Sequence, residues 1–230
     1  VLIAPLILSI ATAAELGIAM SSSGLGMLVG GIAMTLVSTP KKLVNTIVVA
    51  LLAQSSLYLA LASHPSVVLI TTAGFFAGIT VPIIYSCSDV IWQRKVAPDM
   101  QGKVFSFRPV ISGLPYPFGF LLAGPLTDHF FEPAMAEGGV LAPILGPIIG
   151  IGEGRGAAAL FFTLGSMMIV LVLTAWCIPA IRNTETLLED HNPLFGQMAI
   201  NMGLLTEEEV ADCLWWQKVY RRTLREHLPI

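Results

Sequence analysis

A few ionisable residues lie where an otherwise apolar chain should hold none. Asp89 stands near the end of the apolar run Val67–Trp92, with Arg94 and Lys95 just after it and Arg108 in the next run. Glu15 stands at the mouth of another such run, Leu16–Val37. A charge in hydrocarbon is costly, so each is a candidate for gating or coupling. Asp89 facing Arg94, Lys95 or Arg108 reads as a charge network that holds one mouth of a helical bundle shut, or as a plain ion pair at a helix end. Glu15 reads as a solvated rim residue or as a carboxylate that couples a proton or cation.

The other polar groups inside apolar runs are neutral: Ser21–Ser23, Gln54, Ser55, Ser56, Thr71, Thr72 and Tyr85. Walls of this kind, apolar with a few hydrogen-bonding groups, suit a small amphipathic ligand. Their alternative use is hydrogen bonding between helices, worth about 0.6 kcal/mol each. Gln54 and Tyr85, with Tyr116 and Phe118 from a run interrupted by proline and glycine, are the substrate-cavity candidates. No catalytic set accompanies them. His64, His129, His191 and His227 are scattered, no nucleophile has a base nearby, and no GxxxxGK[ST] phosphate loop exists. Cys87, Cys177 and Cys213 are far apart, which suggests neither a disulfide framework nor a metal site. The chain is expected to be no enzyme and to need no cofactor.

Five apolar stretches must position these residues, each about 20 residues and so long enough as a helix to cross ~30 Å of hydrocarbon. They are Leu16–Val37, Leu43–Ala62, Val67–Trp92, about Val104–Phe130, and Ala157–Ile178. Threading the chain through them puts eleven of its twelve Lys and Arg residues on one face and leaves Arg155 alone on the other. Cations resist translocation, so the crowded face should be cytoplasmic. With 55% hydrophobic and 12% charged residues, the composition is that of a multi-pass protein of a cell membrane. The basic residues border apolar stretches, so lipid is the expected partner and nucleic acid is not.

Further expectations follow from local residues. The fourth stretch holds Pro109, Pro115, Pro117 and Pro125 and cannot be a straight helix, so an interior position is expected for it. Val96–Lys103 reads as a polar loop before it, and Val140–Ile151 as a surface or re-entrant loop after it. Gly26-xxx-Gly30 and Gly74-xxx-Gly78 have the spacing that lets helices approach closely. Val1–Ala14 reads as the outer end of a sixth helix whose beginning is missing. Beyond Ile181 the chain changes character. Asn192-Pro193 starts a helix that Gly203 ends, and Thr206 with Glu209 forms a capping box opening another, with Val210, Cys213, Leu214 and Trp215 as its apolar stripe. Residues 1–181 are thus expected to form an all-α membrane bundle, and residues 182–230 a small cytoplasmic helix pair that leans on the bundle, the membrane or a protein partner. Trp215-Trp216 suits an interfacial anchor.

The chain resembles the C-terminal half of a major facilitator superfamily transporter of the drug- and siderophore-exporter type. The residues that carry the resemblance are Gly24–Gly31, Ser38–Lys42, the loop Trp92–Phe105 with its flank Ile91, and Leu121–Asp128. It runs from Val1 to about Thr186 and implies the end of helix seven with helices eight to twelve. Ser38–Lys42 lacks the acidic residue of the family's short basic loop, as suits a second-half copy. The implied function is secondary transport, efflux of a small amphipathic compound across the bacterial inner membrane, completed by an N-terminal half or a second copy. The tail separately resembles the module at the front of type II secretion and pilus ATPases, through Gly196, Ala199, Ile200, Gly203–Leu205, Val210, Leu214 and Gln217. Leu194 stands where nucleotide-binding members of that family carry Arg. A docking module that regulates a transporter half is therefore a second reading, and a gene fragment without function a third.

Overall fold

The computed structural model describes residues 7–8, 11–36, 40, 42–152, 154–187 and, in the tail, 203, 206, 208, 209 and 212. Among these every regular element is helical. Five helical stretches are long and apolar enough to cross a membrane: Ala13–Leu36, Leu43–Ser63, Val67–Lys95, Pro98–Met135 and Arg155–Cys177. The first three are α1, α2 and α3. At 24, 21 and 29 residues, and ~1.5 Å per residue, each exceeds the ~30 Å of a hydrocarbon core.

Their starts follow from orphan amide groups that need acceptors. At α1 the Thr12 hydroxyl accepts from the Glu15 amide at 3.4 Å, and the Glu15 carboxylate accepts from the Thr12 amide and hydroxyl, both at 2.8 Å. This is a capping box. Ser66 caps α3 by accepting from the Leu69 amide, and Arg94 and Lys95 close that helix at its negative end. α2 has no cap of its own.

The fourth stretch is one segmented rod. It comprises α4 (Pro98–Gly113), α5 (Pro115–Leu126), a π-helical turn at Thr127–Phe131, and α6 (Glu132–Met135). Two expectations need correction here. The polar loop shrinks to Val96 and Ala97, because Pro98 sits in the first turn of α4. The Gln101 side chain folds that turn back by donating to the carbonyls of Gln93 and Val96. The interior position also fails within this chain. No residue of α4 is buried, and in α5 Ala123 alone is. Pro98 and Pro115 fall in first turns, where a missing N–H costs nothing, and the π turn follows directly after Pro125. Pro109 and Pro125 lie inside their helices, where each removes one backbone hydrogen bond.

The segment around Val140–Ile151 is also not a loop throughout. Ala142–Ile149 forms α7, started by Pro143 and stopped by Gly150 at φ +83°. At eight residues it is about 12 Å long and cannot cross a bilayer. α8 is Arg155–Cys177, followed by the short helices α9 (Pro179–Arg182) and α10 (Thr184–Leu187).

α1 packs along α3, α3 on α2, and α2 on α8. Glycine sets the first contact. A Cβ on Gly26 would strike the Phe75 carbonyl, one on Gly30 the Ile79 carbonyl and Pro82 ring, and one on Gly78 the Ser23 carbonyl. A Cβ on Gly74 would lie 4.0 Å from the Ser23 side chain, an ordinary contact. The buried core gathers at one end, where Leu61, Ile70, Phe131, Met135, Ile149 and Ala157–Leu160 meet. The opposite end carries Lys42, Lys95, Arg108 and Arg182, and is called the cationic end below. Ser38, Thr39, Lys41, the Asn192-Pro193 helix, the Val210–Trp215 stripe and most of the expected sixth helix lie outside the described residues. Within the tail, the Thr206–Glu209 capping box forms as expected: Glu209 accepts from the Thr206 amide at 2.7 Å and hydroxyl at 2.9 Å. Gly203 takes the left-handed φ of +69° that suits a helix stop.

Candidate functional site

Where α3 nears the cationic end, Tyr85, Ser88, Asp89 and Trp92 recur at helical spacing and so share a side of the helix. Arg108, on the third turn of α4, reaches across to them. Its guanidinium pairs with the Asp89 carboxylate, donates to the Ser88 hydroxyl at 3.0 Å, and lies over the Trp92 ring, 5.5 Å from its centre. One cation thus meets a carboxylate, a hydroxyl and an aromatic face, which uses its planar fork as a lysine could not. One turn further from the cationic end, Tyr85 lies near Tyr116 at the start of α5. Beside the ion pair is a cavity of about 500 Å³ lined by Ser88, Trp92, Val104, Phe107, Arg108 and Ile111. α3 and α4 do not pack along one another. Side chains alone bridge the gap.

Comparison with protein-family models, with curated proteins and with solved structures finds no match.

Of the three cations expected near Asp89, Arg108 takes it. Arg94 is exposed, and the Lys95 ammonium donates to the Glu185 carbonyl at 2.8 Å. Tyr85 and Tyr116 come together, but Gln54 does not join them. Its amide donates to Tyr58 on its own helix, and Tyr58 packs near Phe161 of α8. Phe118 is 63% exposed on the flank of α5. Glu15 lies at the far end of α1, where its carboxylate serves the capping box. The small hydroxyls mostly bond within their own helices: Ser55 to Leu51, Ser56 to Leu52, Thr72 to Val68. Ser22 alone among those named crosses between helices, donating to the Thr71 carbonyl at 3.2 Å.

Two carboxylates that the sequence did not single out matter as much. Glu185 reaches back to α2 and accepts from the Val44 amide, supplying the cap that helix lacks. Together with the Lys95 contact this ties the ends of α2 and α3 to α10. At the opposite end, Glu132 accepts from the amides of Gly154 and Gly156 at the start of α8. Arg155 beside it is buried and donates to the Ile149 carbonyl at 3.0 Å. The one signal in the sequence for this knot is Gly156, where a Cβ would collide with Glu132.

Proposed function

We propose that the chain is one half of a secondary transporter that exports a small amphipathic compound, and that Asp89 and Arg108 latch its cationic, cytoplasmic mouth. The observation that carries this reading is a half-buried arginine whose side chain bridges two helices that do not pack along one another. A helix held only by side chains can separate by breaking few contacts, as alternating access requires. The cavity beside the ion pair supplies an apolar wall with a few polar groups, Ser88 and Ser112 among them. The apolar flanks of α4 and α5, with Phe107, Ile111, Phe118 and Leu121 exposed, call for lipid or a second bundle beside them. The resemblance to the exporter families agrees with this.

The test is efflux from vesicles holding this chain alone, and this chain joined to an N-terminal half. Transport is expected only in the second case, and Asp89→Asn should uncouple it. Transport by the isolated monomer would refute the half-transporter reading. A second reading has its own support in the capped tail helix at Thr206–Glu209: a cytoplasmic docking module. Deleting residues 192–230 should then change partner binding and leave membrane insertion intact.

A further inference from the structure

The two members of the Asp89–Arg108 pair are unequally covered. The arginine side chain is 20% exposed and the aspartate 48%. Asp89, Ser88 and the Trp92 ring already engage both terminal nitrogens and one face of the guanidinium. Asp89, among the described residues, is bonded by Arg108 alone and through one carboxylate oxygen. What the pair offers to its surroundings is therefore mostly carboxylate. Aromatic rings border it. Tyr85 and Trp92 stand one turn before and after Asp89 on the same side of α3, Tyr116 lies near Tyr85, and all three rings are exposed. Tyr85 is within electrostatic reach of both Asp89 and Arg108. Trp92 also lines two cavities: the one of about 500 Å³ beside Arg108, and an almost wholly apolar cleft of about 630 Å³ between α2, α3 and α8.

We propose that Asp89, with Tyr85, Trp92 and Tyr116, recognises an organic cation carrying apolar substituents, and that this cation displaces the Arg108 guanidinium. The arginine shows what these groups hold: a delocalised, weakly hydrated cation on a carboxylate and an aromatic face. A ligand of the same chemistry competes for the same partners. A metal ion needs several oxygen ligands, and among the described residues no cluster supplies them. A neutral compound has no charge with which to replace a guanidinium on a carboxylate. An anion would have to draw the guanidinium from three partners and leave Asp89 unpaired. The long arginine side chain, by contrast, reaches water once released, while Asp89 on its short stem stays in place. The cavities lined by Trp92 take the apolar substituents. Since α3 and α4 do not pack along one another, the exchange separates no packed helices. This inference rests on the reading of the pair as a latch, and it names the class of compound that releases it.

Trp92 is the reporter. The test uses the full chain with Trp176, Trp215 and Trp216 replaced by Phe, in phosphatidylcholine vesicles, and reads the Trp92 emission. The probes are benzyltrimethylammonium, its uncharged carbon isostere neopentylbenzene, and benzenesulfonate. Partition into the bilayer favours the isostere, so tighter binding of the cation is a stringent result. Benzyltrimethylammonium should shift the emission saturably, with the other two needing at least about tenfold more. Asp89→Asn should weaken its binding by about tenfold, and Asp89→Glu should keep it. Arg108→Gln should strengthen it several-fold because the internal competitor is gone, with Arg108→Lys between Gln and the native residue. Opposite signs at the two halves of one ion pair separate competition from a general loss of structure, which would weaken both. Binding indifferent to Asp89→Asn, or weakened by both Arg108 substitutions, would overturn the site. So would equal binding of the isostere, or tighter binding of benzenesulfonate, which marks an anion site at Arg108. Cation binding without efflux by the joined halves would sink the transporter and leave the site standing. Efflux by the joined halves with no response to the cation would do the reverse.

Discussion

Asp89 is about half exposed and Arg108 one-fifth, so their pair contributes little to stability, on the order of 0.5–1 kcal/mol. Its importance is positional, because it spans a gap that no backbone packing closes. Asp89→Asn should therefore barely move the unfolding midpoint, while freeing α4 to swing. Ser112, which lines the cavity beside the pair, is the reporter site. In a chain with Cys87, Cys177 and Cys213 replaced by Ser, a cysteine at Ser112 should label several-fold faster once Asp89 becomes Asn. Asp89→Glu should restore slow labelling, and identical rates in all three would remove the latch. Glu209 offers a titration in the tail, outside the spans. Its carboxylate accepts first from the Thr206 amide and then from the hydroxyl, which holds its pKa below the usual carboxylate range. The sign follows: the folded pKa is depressed, so the cap stabilises its helix above the unfolded pKa and is lost as pH falls through the folded one. The Thr206 amide resonance should titrate with a midpoint below that of an unstructured Glu, and Glu209→Gln should abolish the step. The same T-x-x-E spacing opens α1 at Thr12 and Glu15. In the tail the spacing is read directly. At Glu15 the apolar surroundings pull attention to a coupling role and hide the local bond.

At the scale of elements, the five long helices are legible because apolar runs and their proline, serine and lysine punctuation mark them, although the fourth begins at Pro98 and ends at Met135, beyond both ends of its apolar run. The joints between helices are far less so. Glu185 and the Val44 amide lie 141 residues apart, and no local pattern relates a carboxylate to a distant helix start. The same holds for Glu132 and the start of α8. An unpaired helix N-terminus buried in protein needs such an acceptor. Glu132→Ala should therefore cost about 1.5–3 kcal/mol per lost charge-assisted bond at most, read from unfolding in mild detergent. Glu132→Gln should recover part of it, since one acceptor oxygen remains. Glycine spacing, by contrast, is informative on both its partners. Gly78→Leu should push α1 off α3 and destabilise by about 1–3 kcal/mol. At Gly31 on α1 an added Cβ meets nothing within 4 Å, so Gly31→Leu should be silent. Equal effects from the two would show that the glycines do not set this contact.

At the scale of the whole molecule, two ends of unlike construction emerge from one chain. One end is a dry knot of small and bulky apolar residues closed over Glu132 and Arg155. The other is splayed, held by an ion pair, by Glu185 and by lysine, with cavities between the helices. A bundle that pivots needs this asymmetry: a fixed end to turn about and a loose end to open. The sorting of cations anticipates that Lys42, Lys95, Arg108 and Arg182 gather at one end, but composition cannot reveal that the proline-rich rod lies at the edge, because no periodicity marks a partner. The orientation is open to direct test. Lys103 sits near the start of α4 and Glu137 just past α6, so the rod must carry them to opposite faces if it crosses. Gly102, beside Lys103, meets nothing within 4 Å and tolerates a side chain. In sealed cells a membrane-impermeant thiol reagent should label a cysteine at Glu137 and leave one at Gly102 untouched until the membrane is opened. Labelling of Gly102→Cys from outside, with Glu137→Cys protected, would invert the molecule and move the Asp89–Arg108 latch to the outer mouth. Labelling of both from one side would mean that the rod does not cross, and the latch would then bridge two surface helices instead of guarding a path.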